Sequence, residues 1–378
     1  MYWFRIYLQL KSKCQSGSVR GYMDNSFFSI NTQFENVGDA LINREMIQLA
    51  AENSNVFVDF SRCPLEFVDT LDLNNNVNLS AVKGGFLGLC FKMLKMRFKG
   101  QACYYFLSPG GYFGEVKGKE LLNKLLTTVI LLLMSLVGIK ICHVGVSYER
   151  LGARFSLLTR FRSLFLSSHI VRDKLTADYL ASNKIKYDFV GVDLAFNLFG
   201  LERPRGNDVF VSFRCDQDER QFELAKAIVV KLHSLLPADS SIVFYSQVSR
   251  DSVYMKDMHA YFNLNYSSVR SFEYLGVHGD IDGSLTVLSR AKCIISNRLH
   301  VLLMASSKGA CVVPCVLDGY NQKIEGIMSD LIGDSCLDMT DIDSESFKYL
   351  WDLNLSISDK AFLAKEKLAN DFRGIYGN

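Results

Sequence analysis

Short apolar runs that alternate with helix-forming segments constrain the fold of this chain more than any other sequence feature. Residues 291–295 are mostly apolar and end in two isoleucines, and residues 301–308 are mostly good helix formers. The first pattern is typical of a buried strand and the second of a helix. The strand-like pattern recurs at 27–30, 56–60, 103–107, 139–144, 209–213, 241–245, 271–275 and 310–316. Strands that alternate with helices predict an α/β fold with parallel sheets and helices on both faces.

The length of 378 residues predicts two domains, each large enough for its own core. The polar run 203–208 contains Pro204 and Gly206 and separates two series of strand-like and helix-like segments. We therefore predict an N-terminal α/β domain at 1–203 and a C-terminal α/β domain at 207–345. The remaining segment, 346–378, is predicted to contain an amphipathic helix that packs back across both domains.

The composition excludes several classes of protein. Hydrophobic residues make up 49% of the chain and charged residues 22%, which is typical of a globular protein rather than a disordered one. The net charge of +2 gives no reason to expect a nucleic-acid partner. The ten cysteines lack paired spacing, so no zinc site is expected. Because Arg5, Lys11 and Lys13 interrupt the apolar residues near the N-terminus, we expect no signal peptide and a cytoplasmic protein.

Two segments raise the question of membrane contact. Residues 125–138 are almost wholly apolar but fall short of the roughly 20 residues that span a bilayer, so we expect a helix buried in the α/β core. Residues 84–99 interleave large apolar side chains with Lys92, Lys95 and Arg97. This basic amphipathic pattern fits either a surface helix with solvated lysines or a helix that lies on an anionic membrane. Peripheral membrane contact through 83–99 is therefore a hypothesis.

The junction Ser296-Asn297-Arg298-Leu299-His300 lies where the strand at 291–295 passes into the helix at 301–308. In an open α/β sheet this carboxyl edge is where ligands bind. The helix N-terminus offers free N–H groups, and Arg298 can hold a carboxylate or phosphate with two hydrogen bonds. His300 can transfer a proton near neutral pH. The alternative is that Arg298 pairs with a structural carboxylate and that His300 caps the helix or packs.

Two glycine-containing segments also follow strand-like runs. The first is Asn36-Val37-Gly38-Asp39, which precedes a predicted helix. Its glycine permits a close approach to a ligand or to another backbone, and Asp39 is either a functional carboxylate or a helix cap. The second segment contains Gly110 and Gly111 after the strand at 103–107, and it predicts a loop that approaches another group closely.

Other charged and polar positions have both a functional and a structural interpretation. Arg172 is either a second anion clamp or a member of a local ion pair, with Asp173 as the cap of the next helix. Lys323 begins a later helix and either reaches an anion held at Arg298 or is a solvated surface lysine. His143 lies inside a predicted strand and is expected to be a core histidine with satisfied hydrogen bonds.

Taken together, these signals resemble the polysaccharide pyruvyl transferase family, whose fold is similar to the two-domain GT-B glycosyltransferases. The matching segments occur in the family's order. They are Asn36-Val37-Gly38-Asp39, Pro109-Gly110-Gly111, Gly145-Val146-Ser147, Val171-Arg172-Asp173, Ser296-Asn297-Arg298-Leu299-His300 and Tyr320-Asn321-Gln322-Lys323. One departure is the sequence Ser-Pro-Gly-Gly-Tyr at 108–112, where the family usually has three consecutive glycines. The resemblance implies two Rossmann-like parallel-sheet domains that face a cleft.

The resemblance also implies a reaction. It is the transfer of the enolpyruvyl unit of phosphoenolpyruvate onto two hydroxyls of a sugar in a surface polysaccharide or its precursor, giving a pyruvate ketal and phosphate. His300 is the expected general acid and Asp39 the expected general base, and these two roles can be exchanged. The expected substrate-binding residues are Arg298, Leu299, Arg172, Lys323, Asn36, Gly38, Gly110, Gly111 and Ser296. No cofactor or metal is expected besides phosphoenolpyruvate as the donor substrate.

Two other functions fit the same residues. The first is a GT-B glycosyltransferase, with Arg298 and Lys323 on the diphosphate of a nucleotide sugar and Asp39 as the base. The second is a sugar-binding or assembly subunit of an envelope-polysaccharide complex that has no catalytic activity. For the pyruvyl transferase, the basic stretch at 92–99 makes a lipid-linked acceptor at the inner face of the cytoplasmic membrane a hypothesis.

Overall fold

The computed structural model describes residues 24–71, 73, 79–200, 206–237, 239–317, 320–332, 336–340 and 357–377. Their contacts divide them into two compact units. The first comprises the chain up to Thr32, Ile42–Leu194 and the chain from Lys367 onward, and the second comprises Gln33–Leu41 and Ala195–Glu366. The predicted boundary at 203–207 overlaps residues 201–205, and the predicted segment 346–378 begins at 346–356; both of these stretches lie outside the described residues.

The first unit is a parallel sheet with helices on both faces. Its strands are β1 (Asp24–Ser29), β2 (Ser54–Asp59), β3 (Leu79–Ala81), β4 (Cys103–Phe106), β5 (Gly110–Gly114), β6 (Lys140–Leu151), β7 (Ser168–Val171) and β8 (Phe189–Val190). They are ordered β3-β2-β1-β4-β6-β7-β8, and β5 pairs with the second half of β6. The helices of this part of the chain are α1 (Val37–Ala51), α2 (Leu65–Thr70), α3 (Gly85–Arg97), α4 (Gly118–Leu136), α5 (Ala153–Ser163) and α6 (Lys174–Ser182).

The core of the first unit lies on both faces of its sheet, which explains why its strands are almost continuously apolar. Successive residues of a strand point to opposite faces. Phe27 therefore stacks on Phe57 on one face, at 4.9 Å, while Phe28 stacks on Phe106 on the other, at 5.0 Å. Helices α3 and α4 cover the first face. The last helix, α12 (Ile357–Tyr376), covers the second, where the Phe372 ring lies 6.1 Å from that of Phe106.

The second unit repeats this architecture. Its strands are β9 (Asp208–Ser212), β10 (Ile242–Ser246), β11 (Phe272–Gly276), β12 (Ala291–Ser296), β13 (Cys311–Val316) and β14 (Leu337–Asp338). They are parallel and ordered β11-β10-β9-β12-β13-β14. Its helices are α7 (Gln221–Leu235), α8 (Ser252–Tyr266), α9 (Ile281–Leu288), α10 (Leu299–Ser307) and α11 (Gln322–Ile332). The predicted α/β class with two parallel sheets is confirmed; the cleft between two domains stays a prediction.

Two local predictions are wrong. The apolar segment 125–138 is not buried: it belongs to α4, which lies on the outside of the sheet and packs through one side only, with Thr128, Leu131 and Met134 buried. Gly110 and Gly111 do not form a loop, because they begin strand β5 and pair with Val146 and Ser147 of β6. No helix in the described ranges is both long enough and apolar enough to cross a bilayer.

Candidate functional site

The strand-to-helix junction at Ser296 lies at the switch point of the second sheet. β9 and β12 are neighbours at the centre of this sheet. From β9 the chain continues to β10 on one side, and from β12 it continues to β13 on the other side. The hydroxyl of Ser296 donates to Ser212 O at 2.6 Å and accepts from the Arg298 N–H at 2.9 Å. The amide of Asn297 bonds both N and O of Arg214, at 2.6 and 2.8 Å. These bonds hold the first turn of α10 against the loop after β9, where ligands bind in open α/β sheets.

Arg298 forms a bidentate ion pair across this edge. Its Nε donates to Asp251 Oδ2 at 2.8 Å, and its Nη2 donates to Asp251 Oδ1. Burial raises the pKa of the Asp251 carboxyl, while the Arg298 guanidinium opposes that rise. The geometry agrees with the structural alternative considered for Arg298 and engages two of its five N–H donors. Its role as an anion clamp stays a prediction.

Two further arginines surround this pair. Arg214 donates through Nε and Nη2 to Asp216, and Arg250 donates through Nη2 to Gln33 Oε1 at 3.0 Å. Burial raises the pKa of Asp216, but the guanidiniums of Arg214, Arg250 and Arg298 lower it by more, so the net shift is downward. The carboxyl edge therefore carries three guanidiniums, two of which pair with the carboxylates of Asp216 and Asp251.

Gly38 packs directly against the imidazole of His300. A Cβ atom placed on Gly38 would lie 2.2 Å from His300 Nδ1 and 2.7 Å from His300 Cβ, which is closer than any real contact. The loop before Gly38 is fixed by local bonds. Asn36 Oδ1 accepts from Gly38 N at 3.0 Å, and Asn36 forms an antiparallel bridge with Val248 in the loop after β10. Gln33 N donates to Asp39 Oδ2 at 3.3 Å, so the whole Asn36–Asp39 segment is held at this edge.

The contact between Gly38 and His300 brings two helix N-termini together. Gly38 is the second residue of α1 and His300 is the second residue of α10. Both first turns therefore present N–H groups and a partial positive charge toward the same edge. The structure groups Asn36, Gly38 and Asp39 with the second unit, although sequence order places them in the first half of the chain. Together with the three arginines, the arrangement can bind an anion beside an imidazole and a carboxylate.

Two other predicted residues lie at this edge. Leu299 is buried in the first turn of α10, and Lys323 is half-buried as the second residue of α11. Helix α11 follows β13, the neighbour of β12, so Lys323 enters from the same end of the sheet. Sequence reasoning missed Asp251, Arg214 and Arg250. Each lies in a loop that follows a strand, but a strand-end position alone does not show which loops meet.

The remaining predicted residues lie in the first unit, where Arg172 is a buried structural hub. Its Nη1 donates to Asp193 Oδ2 at 2.7 Å and its Nη2 to Ser147 Oγ at 2.8 Å. The pairing of β5 with β6 sets Gly111 opposite Ser147. Asp173 caps α6 by accepting from Thr176 N, as the structural alternative expected. Substrate binding by Arg172, Gly110 and Gly111 stays a prediction.

A buried chain of hydrogen bonds lies beside these residues. His169 Nδ1 is 2.7 Å from Lys186 O, and the Tyr148 hydroxyl is 3.1 Å from His169 Nε2 and 2.9 Å from His143 Nδ1. A carbonyl only accepts, so His169 donates to Lys186 O, Tyr148 donates to His169, and His143 donates to Tyr148. Burial lowers the pKa of His169 to about 4 and that of His143 well below its usual value. Both rings are neutral members of the core. The prediction for His143 is right about burial but wrong about full hydrogen bonding, because its Nε2 has no hydrogen-bond partner among the described residues.

In the described ranges, no group of three His, Cys, Asp or Glu side chains is arranged to hold a metal ion. The positive groups that the described residues bring to the edge of the second sheet include three guanidiniums, the Lys323 ammonium and two helix N-termini.

Solved structures define the class of the fold. HepE from Anabaena, solved with UDP-glucose, has 11% sequence identity and a TM-score of 0.56 over 93% of this chain and 98% of its own. A glycosyltransferase from Rickettsia africae has 10% identity and a TM-score of 0.56 over 95% and 100%. The UDP-GlcNAc 2-epimerase of Methanocaldococcus jannaschii has 13% identity and a TM-score of 0.53 over 94% and 100%. These similarities place the chain in the GT-B-like class of two-sheet α/β folds.

The family is shown by sequence. The profile of the polysaccharide pyruvyl transferase family matches residues 36–319, which is well over half of the chain, and the chain belongs to that family. The match begins at Asn36 and contains all of α1, all of α10 and the junction before α10. The search of curated proteins found no significant match to this chain.

Proposed function

We propose that this transferase moves the enolpyruvyl group of phosphoenolpyruvate onto two hydroxyls of a sugar and so forms a cyclic pyruvate ketal. Membership of the polysaccharide pyruvyl transferase family supports this type of transfer. The main observation in support of the proposal is the contact between Gly38 and His300. It brings together, at one edge of the sheet, two segments that match the family and lie far apart in sequence.

Phosphoenolpyruvate carries a phosphate and a carboxylate, so its site needs concentrated positive charge. The first turns of α1 and α10 offer backbone N–H groups to one anion. Arg250 is exposed, and Arg214 and Arg298 retain N–H donors beyond those given to their carboxylates. These guanidiniums suit planar, bidentate recognition of the second anion. With this positive charge supplied by the protein, we propose a reaction that requires no metal, and its rate should survive treatment with EDTA.

The proposed transfer begins with protonation of the donor. His300 gives a proton to the methylene carbon of phosphoenolpyruvate, which leaves positive charge at C2. Asp39 takes the proton of the first sugar hydroxyl as its oxygen bonds to C2. The C2–O bond to phosphate then breaks, and the second hydroxyl bonds to C2 as its proton is released. One hydroxyl proton ends in the new methyl group and the other leaves with inorganic phosphate. The acid and base roles of His300 and Asp39 can be exchanged.

The first test is thermal stability of the purified protein with phosphoenolpyruvate, compared with UDP and with UDP-glucose. A ligand at about 100 times its Kd stabilises the folded state by about 2.7 kcal/mol, which raises the Tm measurably. We expect stabilisation by phosphoenolpyruvate, retained in His300→Asn. The same variant should abolish phosphate release with a panel of sugar glycosides as acceptors.

Stabilisation by UDP-glucose alone would contradict the proposal and favour nucleotide-sugar transfer at the same edge. That alternative has one observation in its favour, since HepE, which shares the fold, is solved with UDP-glucose. If the protein binds phosphoenolpyruvate and His300→Asn keeps full turnover, the donor assignment stands but His300 is not the general acid.

A further inference from the structure

The helices α3, α4 and α5 expose an unusual amount of apolar surface. Thirteen of the 25 exposed large hydrophobic side chains in the described ranges lie on these three helices or on the residue that follows each of them. We name this surface the apolar helix face. Its members are Leu87, Phe91, Phe98, Leu122, Leu125, Leu126, Val129, Leu133, Leu136, Val137, Leu157, Phe161 and Leu164.

The apolar helix face is the outer side of helices whose inner sides are already packed. Helix α3 buries Leu89 and Met93 against the sheet, and α4 buries Leu131 and Met134 in the same core cluster. The exposed residues of α4 recur at intervals of three or four, which places them along one stripe of the helix. Leu126 and Leu133 remain 59% and 57% exposed, and Phe91 of α3 remains 73% exposed. Among the residues that the structure describes, nothing in the first unit covers this stripe.

The three helices lie side by side on one face of the sheet. Arg97 at the end of α3 donates through Nε to Val137 O at the end of α4, at 3.0 Å. Arg162 of α5 donates to Thr128 of α4 at 2.8 Å, and Lys124 of α4 lies 4.8 Å above the ring of Phe155 in α5. Their exposed apolar side chains consequently form one surface.

The three helices carry a net positive charge. The three helices contain one acidic residue, Glu120, which pairs with Lys124 at 3.6 Å. Against it stand eight basic residues. They are Lys92, Lys95, Arg97, Lys119, Lys124, Arg154, Arg160 and Arg162. Lys95, Lys119, Arg154 and Arg160 are exposed, as are Lys83 and Lys99 just outside α3. An apolar stripe bordered by cations matches the surface of an anionic bilayer, with hydrocarbon beneath anionic head groups.

We propose that the apolar helix face binds the surface of a membrane that contains anionic lipid. The side chains of α4 enter the boundary of the acyl chains, while the lysines and arginines of all three helices contact the head groups. A second copy of this chain is a poorer occupant, because a symmetric dimer through this face would set its cations against the same cations. The proposal concerns the first unit and does not depend on which donor the enzyme uses.

The test is co-sedimentation of the full chain with lipid vesicles. We expect binding to vesicles of equal parts phosphatidylglycerol and phosphatidylcholine, little binding to phosphatidylcholine alone, and weakening as salt is raised. The variant Leu126→Gln/Leu133→Gln should weaken binding at least about tenfold for the pair, because two side chains no longer favour the acyl boundary. Lys95→Gln/Lys99→Gln should weaken it about fivefold for each charge removed.

Leu264→Gln is the matched control, since Leu264 is 84% exposed but lies on α8 in the second unit. Leu264→Gln should bind vesicles as the unchanged chain does. All of the variants should have the Tm of the unchanged chain, because the replaced side chains are exposed. Absence of vesicle binding overturns the proposal. So does equal binding to both kinds of vesicle, or a dimer in sedimentation analysis that Leu126→Gln/Leu133→Gln converts to a monomer.

Discussion

At the residue scale, the position that decides most about the site is Gly38. Alanine there would place a methyl group inside the imidazole of His300, so the ring must move. We expect Gly38→Ala to lower phosphate release from phosphoenolpyruvate by at least about 100-fold, because a displaced acid or base loses its contribution. The extra carbon should also cost about 1–3 kcal/mol of folding free energy through overpacking.

The control for this substitution is Gly374→Ala in α12. A Cβ at Gly374 meets no atom within 4 Å, and the residue is helical. This variant should keep full activity and gain about 0.5–1 kcal/mol of stability, because alanine is the better helix former. Equal activity of the two variants would show that the Gly38 contact does not position His300.

Because Arg298 pairs with the buried Asp251, replacing Arg298 should lower the stability of the fold. This loss must be distinguished from any loss of substrate binding. Arg298→Ala leaves a buried carboxylate without its partner, and we expect a loss of about 3–5 kcal/mol in the free energy of unfolding. Arg298→Met/Asp251→Leu removes both charges and should recover most of that loss. Urea denaturation measures both variants. If Arg298→Ala is as stable as the unchanged chain, the buried Asp251 carboxylate does not need Arg298 as its partner.

The double variant also isolates the donor site. If it folds but is no longer stabilised by phosphoenolpyruvate, Arg298 acts on the donor as well as on Asp251. If phosphoenolpyruvate still stabilises it, the anion is held by the helix N-termini and the other arginines.

At the scale of elements, the hydrogen-bond chain between β6 and β7 predicts acid sensitivity. The pKa of His169 is about 4 in the folded protein, against about 6.5 in an unfolded chain. The unfolded state therefore binds more protons between these values, so stability is complete above about pH 6.5 and falls as the pH drops toward 4. We expect His169 to account for about 3 kcal/mol of this loss, since each pKa unit corresponds to about 1.4 kcal/mol.

Urea denaturation at several pH values between 4 and 7 measures this dependence. His169→Gln should lower the stability at pH 7 and flatten its fall with acid, and His143→Gln/His169→Gln should flatten it further. An unchanged slope in the double variant would assign the acid sensitivity to other groups.

Helix α12 predicts a contrast between two phenylalanines on one element. Phe372 is fully buried and stacks on Phe106, whereas Phe362 is 44% exposed. Phe372→Ala should destabilise the first unit by about 3–5 kcal/mol, because it removes a large buried ring and leaves a cavity. Phe362→Ala should cost less than about 1 kcal/mol, because much less apolar surface returns to water. Similar losses from both substitutions in thermal unfolding would contradict this packing.

At the scale of the whole molecule, the proposed donor site predicts a pattern of amide exchange. Binding of phosphoenolpyruvate should slow exchange at 37–39 and at 299–301, in the first turns of two helices far apart in sequence. The early N–H groups of a helix have no partner within it, so a bound anion protects them. The first turn of α7, in the same unit, serves as the internal control and should not change. Protection at α7 alone would contradict the assignment.

Much of the fold could be predicted from sequence, because the spacing of apolar residues and the positions of glycines and capping residues depend on local structure. The strand at 291–295, the helix after it and the cap at Asp173 all follow from residues within a few positions of one another. The partners of Arg298 and Gly38 could not be predicted in this way. Asp251 reaches Arg298 through the order of strands in the second sheet, and Gly38 reaches His300 from a helix that lies more than 250 residues earlier in the chain. No local pattern encodes either contact.

Helix α4 shows the same limit at the apolar helix face. Its sequence is apolar all round from Leu125 to Leu136, so periodicity cannot distinguish a helix covered on every side from one covered on a single side. Only its position on the outside of the sheet decided that side chains such as Leu126 and Leu133 are exposed.

The sequence by itself therefore determined the class of the fold, the alternation of strands and helices, and the residue types able to bind an anion and move a proton. The tertiary structure decided which of them meet: that Gly38 contacts His300, that Arg298 pairs with Asp251, and that Arg172 is buried with Asp193. The physical reason is that secondary structure depends on neighbours along the chain, whereas a site depends on contacts between residues that only the packed sheet brings together.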